Sequence, residues 1–396
     1  MRPGLNKKLV MKILHVVPTY FPAVRYGGPI YSVHGLCRAL AGQGHDVHVF
    51  TTNVDGSRDS DVPLEQPVDL DGVNVWYFPS IFLRRLFYSP AMQRMLHQQI
   101  ASFDLVHLHS VFLWPTWAAA GMARKKGISY VLSPRGMLVK ELILRKSLFL
   151  KSCWILFIER KNLERAAAVH LTSKSEVEEL DIFSFALKKQ VIIANGVAPP
   201  ADWAEEELSN DVLEVVRKGN YVLFFGRLNW KKGLDRLIRS WKDVPYTLVI
   251  AGNDEEGYLA ELLSLVKERG VSNRILFLPR SITGSDKEAL FASARIFVLP
   301  SYSENFGQTV LEAMIRSLPV VVTRRVGAAS IVDESGAGIV TDIGSLALNI
   351  QKMFQNEKKM ELMGSRGKEW ALRRYSWESI SLQMADFYKT VALKEH

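Results

Sequence analysis

The sequence has few of the features that mark disulfide-stabilised, zinc-binding or membrane-spanning proteins. Its 396 residues include only two cysteines, Cys37 and Cys153, which lie far apart and lack metal-ligand spacing. No disulfide framework or zinc site follows, and a reducing compartment fits. No run reaches the roughly 18 apolar residues of a membrane-spanning helix, and the N-terminal stretch MRPGLNKKLV lacks a signal peptide's apolar core. We therefore expect a cytoplasmic protein.

The composition indicates a folded, basic protein. Hydrophobic residues make up 48% and charged residues 23%, values typical of globular chains, and the length suffices for two domains. A net charge of +9 predicts an anionic partner, which leaves a nucleotide diphosphate, an anionic membrane surface or nucleic acid. No DNA- or RNA-binding motif accompanies the charge, so we disfavour nucleic acid.

Buried strands alternate with amphipathic helices along most of the chain, a pattern that predicts parallel sheets with helical crossovers. The first unit of this kind runs from a strand at 12–17 through Gly27 and Gly28 into a helix at 30–43. Two glycines before a helix permit close approach of the backbone to a phosphate. Because the loop is not G-x-G-x-x-G, a dinucleotide-dependent dehydrogenase is disfavoured.

Two polar stretches are predicted to lack regular structure. Residues 55–72 contain two D-x-D strings among turn residues, which we interpret as a solvated surface and not a metal site. Residues 198–219 combine a Pro-Pro pair with an acidic run, and we interpret them as a linker between domains.

Two polar side chains follow strands of the first half. His107 and His109 share one face of a strand at 103–109; His109 lies at its carboxyl end, where it is a candidate to line a pocket, whereas His107 is interpreted as structural. Arg135 follows the next strand. Because an arginine stays protonated, it cannot act as a general base, but it can hold a phosphate or another anionic group.

Residues 140–165 form the most amphipathic part of the chain, where large apolar side chains mix with arginines and lysines. A basic, aromatic-bearing helix of this type can lie in a membrane interface. The alternative is a helix that packs on its own domain with a basic outer face.

The second half contains two candidate ligand loops. A strand at 221–225 leads into GRLNWKKG, and Arg227 and Lys232 at a strand end and helix start would suit a diphosphate; an exposed basic turn is the alternative. The second loop lies in PSYSENFGQTVLEAMIRSLP at 300–319, where Glu304 and Glu312 bracket the start of a helix at the end of a strand. Open α/β sheets bind ligands at this position, although each glutamate alone could be an ordinary solvated residue.

These two strings resemble the GR…KG and E-x7-E motifs of retaining glycosyltransferases with the GT-B architecture, family 4 (glycosyl transferases group 1). The chain also carries Asn195-Gly196-Val197, similar to the string with which that family leaves its first domain. The resemblance implies an α/β fold of two Rossmann-like domains that face each other across a cleft. Residues 1–198 would bind the acceptor and 199–376 the nucleotide sugar, with a C-terminal helix in 377–396 crossing back to the first domain.

The family's site residues carry over by position. Arg227 and Lys232 would bind the diphosphate, Glu304 the sugar and Glu312 the ribose, with Arg227, Lys232 and Glu304 serving catalysis. The loop of Gly27 and Gly28 would face the diphosphate, and no metal or other cofactor would be needed. Asn305, Phe306 and Gly307 would add contacts to the sugar. Arg280 and Ser281 would lie near the base, and His109 and Arg135 near the acceptor or reacting centre.

The resemblance implies a hexosyltransferase that retains the anomeric configuration. UDP-glucose is the favoured donor, with GDP-mannose next. The expected acceptor is a glycan or polyprenyl-linked sugar in exopolysaccharide or cell-envelope synthesis. The protein would reach it at an anionic membrane surface through residues 140–165. Arg135 stands where many relatives have a histidine. This departure keeps open a catalytically weak nucleotide-sugar-binding protein, and a GT-B nucleotide-sugar epimerase is a further alternative.

Overall fold

The computed structural model describes residues 10–138, 154–254 and 257–392. The chain divides into two compact units. The first comprises the chain up to Gly196 together with the segment from Trp377 onwards, and the second is Val197–Ser376. Each unit is built around a sheet of mainly parallel strands.

The sheet of the first unit has eight strands. In chain order the strands of this unit are β1 (Lys12–Val16), β2 (Asp46–Thr52), β3 (Val54–Asp55), β4 (Arg58–Asp59), β5 (Pro67–Leu70), β6 (Val73–Phe78), β7 (Leu105–His109), β8 (Tyr130–Ser133), β9 (Ala168–Leu171) and β10 (Gln190–Ile192). Eight of them are ordered β10-β9-β8-β7-β1-β2-β6-β5, while β3 and β4 form a separate hairpin. Only β5 joins the eight-stranded sheet antiparallel.

Helices accompany the parallel strands of the first unit. They are Gly28–Gly42, Pro90–Gln99, Trp114–Lys126, the π-helical turn Ile155–Glu159, Arg160–Arg165, Lys174–Asp181 and Trp377–Ala392. All residues of β7, β8 and β9 are buried, as expected for parallel strands covered on both faces.

The C-terminal helix is anchored in the first unit by its first aromatic residue. The indole of Trp377 fills the space beside Gly35, where a Cβ atom would collide with the ring. Further along the helix, Gln43 donates a 2.6 Å hydrogen bond from Nε2 to Oγ of Ser381. The helix therefore completes the core of the first unit from the far end of the chain.

The second unit contains six parallel strands. They are β11 (Tyr221–Phe225), β12 (Thr247–Ala251), β13 (Ile275–Leu278), β14 (Ala294–Leu299), β15 (Val320–Thr323) and β16 (Gly338–Thr341), ordered β13-β12-β11-β14-β15-β16. This is the strand order of a Rossmann fold. The helices are Asn210–Lys218, Leu234–Ser240, Leu259–Glu268, Gly284–Ser293, Gln308–Ile315, Ala329–Ser335, Leu346–Phe354 and Glu357–Tyr375.

The interpretation of residues 198–219 as an unstructured linker is wrong in its second half. The helix Asn210–Lys218 lies there, with Val212 and Val215 buried one turn apart. Its apolar residues follow helical spacing over only two turns, so the acidic run before it obscured the pattern. The burial of this face stabilises a helix too short to form alone.

The stretch at 55–72 is also more ordered than its sequence predicts, because β4 and β5 lie within it. Strand β5 is at an edge of the sheet and has no fully buried residue, so its sequence carries no hydrophobic alternation. The D-x-D aspartates make surface contacts: Asp59 accepts a 2.6 Å hydrogen bond from Arg84, and Asp71 pairs with His34 at 2.9 Å.

The predicted fold class is confirmed at the level of α/β architecture with parallel sheets. The strand predicted at 221–225 agrees with β11 to the residue, and the strand predicted at 12–17 exceeds β1 by one residue. These strands are dense in apolar residues and end at Gly, Pro or polar residues, the strongest signals that a sequence offers.

The contact between Gly35 and Trp377 allows a matched test within one helix. Substitution Gly35→Ala should lower the free energy of unfolding by about 1–3 kcal/mol, because the added methyl group displaces the indole. Gly42→Ala in the same helix meets no atom within 4 Å and should raise stability by up to about 1 kcal/mol, since alanine is the better helix former. Urea unfolding followed by circular dichroism measures both. Equal stability of Gly35→Ala and the wild type would contradict this packing.

Candidate functional site

The candidate loops of the second unit follow two neighbouring strands. The chain proceeds from β11 to β12 and β13 on one side, and then returns to β14, β15 and β16 on the other. The carboxyl ends of β11 and β14 are therefore adjacent at the point where the strand order reverses. Open α/β sheets bind ligands at such a switch point.

An ion pair joins the two loops there. Lys232 ends a short helical turn after β11, and its Nζ contacts Oε2 of Glu304 in the loop after β14. Each side chain is 19% exposed, so a ligand can reach both. The sequence predicted both residues as ligands of one substrate but did not predict their contact with each other.

Glycines allow these loops to pack backbone against backbone. Gly233 has φ 67°, and a Cβ atom there would collide with the carbonyl oxygen of Pro300. In the same way, a Cβ on Gly252 would collide with the carbonyl of Gly226. The amide of Tyr302 donates to the carbonyl of Lys231 at 2.7 Å. The loop that carries Lys232 is thus held directly on the one that carries Glu304.

The backbone of Glu304 is fixed by the loop after β15. Its amide donates to the carbonyl of Arg325 at 3.0 Å, and its carbonyl accepts from Gly327 at 2.9 Å. The carbonyl of Phe306 accepts from Ala328 at 2.7 Å. Three backbone hydrogen bonds therefore hold the stretch from Glu304 to Phe306 in one conformation.

The stretch ends at Gly307, whose φ of 88° turns the chain into the helix Gln308–Ile315. As a glycine, Gly307 has no side chain with which to cap this N-terminus. Its amides lie at the ligand edge of the sheet, where a helix start favours a negatively charged group. Glu312 lies on the same helix, is 18% exposed and pairs with Lys287 at 2.8 Å. This partner was not predicted.

Arg280 lies in a network of hydrogen bonds and ion pairs. Its guanidinium pairs with Asp211 at 2.8 Å and Asp286 at 2.9 Å, and its Nη1 donates to the carbonyl of Ser281 at 3.4 Å. The hydrogen bond from Arg280 lowers the pKa of Asp211. Arg280 thereby ties the helix Asn210–Lys218 to the start of the helix Gly284–Ser293. Contact of Arg280 and Ser281 with a base stays a prediction.

The first unit has a switch point of its own, between β1 and β7. The loop after β1 ends at Gly27, with φ 75°, and the helix begins at Gly28, around which a Cβ atom would meet nothing within 4 Å. Space therefore exists for a ligand against this backbone. Strand β7 ends at His109, and Arg135 follows the neighbouring β8.

Arg135 is held by neutral groups. Its Nη2 lies 3.1 Å and its Nε 3.3 Å from Nδ1 of His109, while its Nη1 donates to Oδ1 of Asn195 at 3.0 Å. Among the described residues, no carboxylate lies within ion-pair distance of it. Its charge therefore has no direct counter-ion in that part of the protein and suits an anionic ligand.

The contact with Arg135 determines the tautomers of two histidines. Because a guanidinium only donates, Nδ1 of His109 must accept, and its proton lies on Nε2. That group donates to Nδ1 of His15 at 2.9 Å, which leaves the proton of His15 on its own Nε2. In this series of hydrogen bonds, Arg135 donates to His109, and His109 donates to His15.

In a second series of hydrogen bonds, a backbone carbonyl determines the tautomers of His170 and His107. His170 must donate from Nε2 to the carbonyl of Ile193 at 2.8 Å, so its Nδ1 accepts from Ser133 at 2.7 Å. Oγ of Ser133 in turn accepts from Nε2 of His107 at 2.7 Å, and Nδ1 of His107 accepts from the hydroxyl of Tyr388 at 2.5 Å. The C-terminal helix is thus hydrogen-bonded into the centre of the sheet.

All four histidines are neutral at pH 7. Burial, and next the charge of Arg135, lower the pKa of His15 and of His170 to about 3. Burial likewise lowers the pKa values of His107 and His109 well below 6.5. Nitrogen atoms of His15, His107 and His109 lie within 4.8 Å of one another. Their accepting nitrogens already take hydrogen bonds and a guanidinium lies beside them, so this cluster fits a hydrogen-bond network better than a cation site.

His109 is less accessible than the sequence predicted. The residue is 1% exposed, and its Nδ1 accepts a hydrogen bond from Arg135. Contact of His109 with an acceptor stays a prediction. The interpretation of His107 as structural agrees with its two hydrogen bonds. His15, Ser133, Asn195 and Tyr388 were not predicted, because they come from separate segments and only the strand order makes them neighbours.

The predicted membrane-facing region lies partly outside the described residues, which omit 139–153. In its described part, Leu156 and Phe157 are 56% and 72% exposed. No helix in 10–138, 154–254 or 257–392 is long and apolar enough to cross a bilayer.

The neutral histidines predict a loss of stability in acid. An unfolded histidine takes up a proton near pH 6.5, whereas folded His15 and His170 do so only near 3. The unfolded chain thus binds more protons below pH 6.5, so stability is fully present above that pH and falls as the pH approaches 3. Glutamine can donate and accept as His170 does, but it does not titrate. His170→Gln should therefore reduce the slope of the free energy of unfolding against pH by about 1.4 kcal/mol per pH unit.

Urea unfolding at several pH values from 7 to 4 checks this prediction. His97→Gln is the matched control, because His97 is exposed, and its slope should equal that of the wild type. A slope unchanged in His170→Gln would show that His170 is not held neutral in the folded protein.

Comparison with known proteins gives matches over most of the chain. Residues 27–196 match the family model described as Glycosyl transferase 4-like domain, and residues 205–370 match Glycosyl transferases group 1. An uncharacterized glycosyltransferase of Methanocaldococcus jannaschii is 28% identical, covering 96% of this chain and 98% of its own. O-antigen chain mannosyltransferase B of Escherichia coli is 27% identical over 43% of this chain and 45% of its own.

A solved structure resembles the whole fold. The Anabaena protein HepE, crystallised with UDP and glucose, superposes with a TM-score of 0.72 at 20% identity, covering 96% of this chain and 100% of its own.

Proposed function

The chain belongs to the group 1 glycosyltransferases with the GT-B architecture, and on that basis we propose that it transfers a hexose from a nucleoside-diphosphate sugar with retention of configuration. The acceptor is a glycan or lipid-linked sugar in exopolysaccharide or cell-envelope polysaccharide synthesis. The ion pair of Lys232 with Glu304 at the switch point of the second sheet carries this proposal.

In the proposed complex, Lys232 and Arg227 bind the diphosphate. Lys232 is preorganised by Glu304, and a diphosphate with its greater charge can compete for the ammonium group. The N-terminus of the helix Gln308–Ile315 adds backbone donors for the same anion. As the bond to the sugar breaks, these groups stabilise the charge that develops on the leaving phosphate. Because cations of the protein supply this charge, the proposal requires no metal.

The two glutamates bind hydroxyl groups of the donor. Release of Lys232 to the phosphates frees the carboxylate of Glu304 to accept hydrogen bonds from the sugar. The fixed backbone of Asn305, Phe306 and Gly307 adds contacts beside it. Glu312, held in place by Lys287, binds the ribose diol, for which the two oxygens of a carboxylate are suited.

The favoured donor is UDP-glucose, with GDP-mannose next. HepE has been crystallised with UDP-glucose, which supports the first, and the O-antigen relative is a mannosyltransferase, which supports the second. The O-antigen relative also supports a role in polysaccharide synthesis, as does the capsular polysaccharide biosynthesis glycosyltransferase CapM of Staphylococcus aureus.

Arg135 and the backbone at Gly27 and Gly28 bind an anionic group in the first unit, either of the acceptor or of the donor. Arg135 binds and does not transfer protons, since its side chain stays charged. Retention then depends on the leaving phosphate to deprotonate the incoming hydroxyl on the same face. A membrane surface near 140–165 would present a lipid-linked acceptor, consistent with the exposed Leu156 and Phe157.

Nucleotide binding is the first test of this proposal. In thermal unfolding with UDP, GDP or ADP, one nucleotide should raise the melting temperature clearly more than the other two. A ligand at 100 times its Kd stabilises the folded state by about 2.7 kcal/mol. The shift should persist in EDTA and be lost in Lys232→Ala. Lys242→Ala, an exposed lysine of the same unit, is the control and should keep it. Absence of a shift with every nucleotide would refute the donor site.

Turnover distinguishes an enzyme from a protein that only binds. Lys232→Ala and Glu304→Gln should each lower donor consumption by about two to three orders of magnitude, because each removes a group that stabilises the transition state. Lys242→Ala should retain wild-type rates. Binding without donor consumption would favour the catalytically weak alternative, and isomerised sugar without acceptor would favour an epimerase.

A further inference from the structure

The first unit contains a cavity remote from Arg135. It has a volume of about 610 Å³, within the range of small-molecule sites. It lies where β8 and β9 begin, whereas Arg135 follows the end of β8, so the two are at opposite edges of the sheet. The residues around it include Tyr130 and the cations Arg124, Lys125, Lys161, Arg165 and Lys188.

The cavity is strongly cationic. Five of its ten lining residues are lysine or arginine, and none is acidic. Among the described residues, no carboxylate lies within ion-pair distance of any of these five cations. Like charges gathered around one cavity repel each other, and an anion of two or more charges would relieve that repulsion.

Helix electrostatics explain only part of this arrangement. Arg124 and Lys125 lie in the last turn of the helix Trp114–Lys126, where cations interact favourably with the helix dipole. Arg165 likewise lies in the last turn of the helix Arg160–Arg165, whereas Lys161 lies at the start of that helix and Lys188 in the loop before β10. Helix dipoles therefore do not account for Lys161 and Lys188, and a bound anion supplies a reason for their presence at the same cavity.

Arg124 is held in place for such a ligand. Its Nη1 donates to Oδ1 of Asn162 at 2.9 Å and to the hydroxyl of Tyr130 at 3.2 Å. That hydroxyl donates to the carbonyl of Asn162 at 2.6 Å. With one nitrogen fixed, the planar guanidinium keeps further donors in a defined direction, the geometry suited to phosphate oxygens.

We propose that this cavity binds a phosphate-bearing anion, a phosphomonoester or a diphosphate. The phosphate can belong to a soluble molecule or to the headgroup of an anionic lipid. Phe157, four residues before Lys161 in the chain, is exposed, and an exposed aromatic side chain on the same segment as cations is a combination that favours an anionic lipid surface. This site is separate from the proposed donor site and does not depend on it.

Two binding assays test the proposal and distinguish the sources. Pyrophosphate is titrated by calorimetry, and vesicles of phosphatidylcholine with or without phosphatidylglycerol are used for co-sedimentation. The test variant is Lys161→Gln with Lys188→Gln, which removes two exposed cations of the cavity. The control is Lys126→Gln with Lys174→Gln, which removes two exposed lysines of the same unit outside the cavity.

We expect the test variant to lose about tenfold in affinity for pyrophosphate, for anionic vesicles or for both, with a stronger effect at low salt. The control should bind as the wild type does. Pyrophosphate that binds the donor loops contributes equally to both variants, so only their difference reports on the cavity. A loss in the vesicle assay alone identifies a lipid headgroup, and a loss with pyrophosphate identifies a soluble phosphate. Equal binding by the two double variants, or no binding by the wild type, would overturn the proposal.

Discussion

The second unit depends on the reversal of strand order between β11 and β14. Because all its strands are parallel, their carboxyl ends lie at one edge, and the reversal leaves the loops after β11 and β14 side by side. Lys232 and Glu304 meet there although 72 residues separate them in the chain. The glycines of these loops permit the close backbone packing that keeps both side chains in place.

The first sheet also has a reversal of strand order, but the side chains that meet there have a different chemistry. Its switch point between β1 and β7 contains imidazoles held neutral by burial, with Arg135 as the nearby charge. A neutral histidine can donate and accept at once, so neutral partners satisfy most polar atoms of this network, although Nε2 of His15 has no partner among the described residues. The second unit has the opposite arrangement, in which the cation Lys232 pairs with the carboxylate of Glu304, and the proposed diphosphate would compete with that carboxylate.

Two kinds of structural feature in this protein gave clear sequence signals, and two other kinds did not. Loop strings such as GRLNWKKG and the stretch from Glu304 to Glu312 were found because they join a strand to a helix with unusual residues. Strands with dense apolar runs were found because burial on both faces leaves no polar position. The helix Asn210–Lys218 and β5 were missed, because a two-turn helix and an edge strand need few apolar residues. Lys287 was missed because nothing local marks it. Asn195 was noted only as part of the string that ends the first domain, and its contact with Arg135 was missed.

The sequence alone determined the α/β class, most of the parallel strands, the loops that carry Arg135, Lys232 and Glu304, and the helix that carries Glu312. It could do so because hydrophobic periodicity, glycine and proline act over a few residues. Tertiary structure decided which residues come together: the pairing of Lys232 with Glu304, the tautomers set by Arg135 and Ile193, the hydrogen bond of Tyr388 to His107, and the presence of Lys161 and Lys188 at one cavity. These contacts depend on strand order and crossover connections, and no single stretch of the chain carries that information.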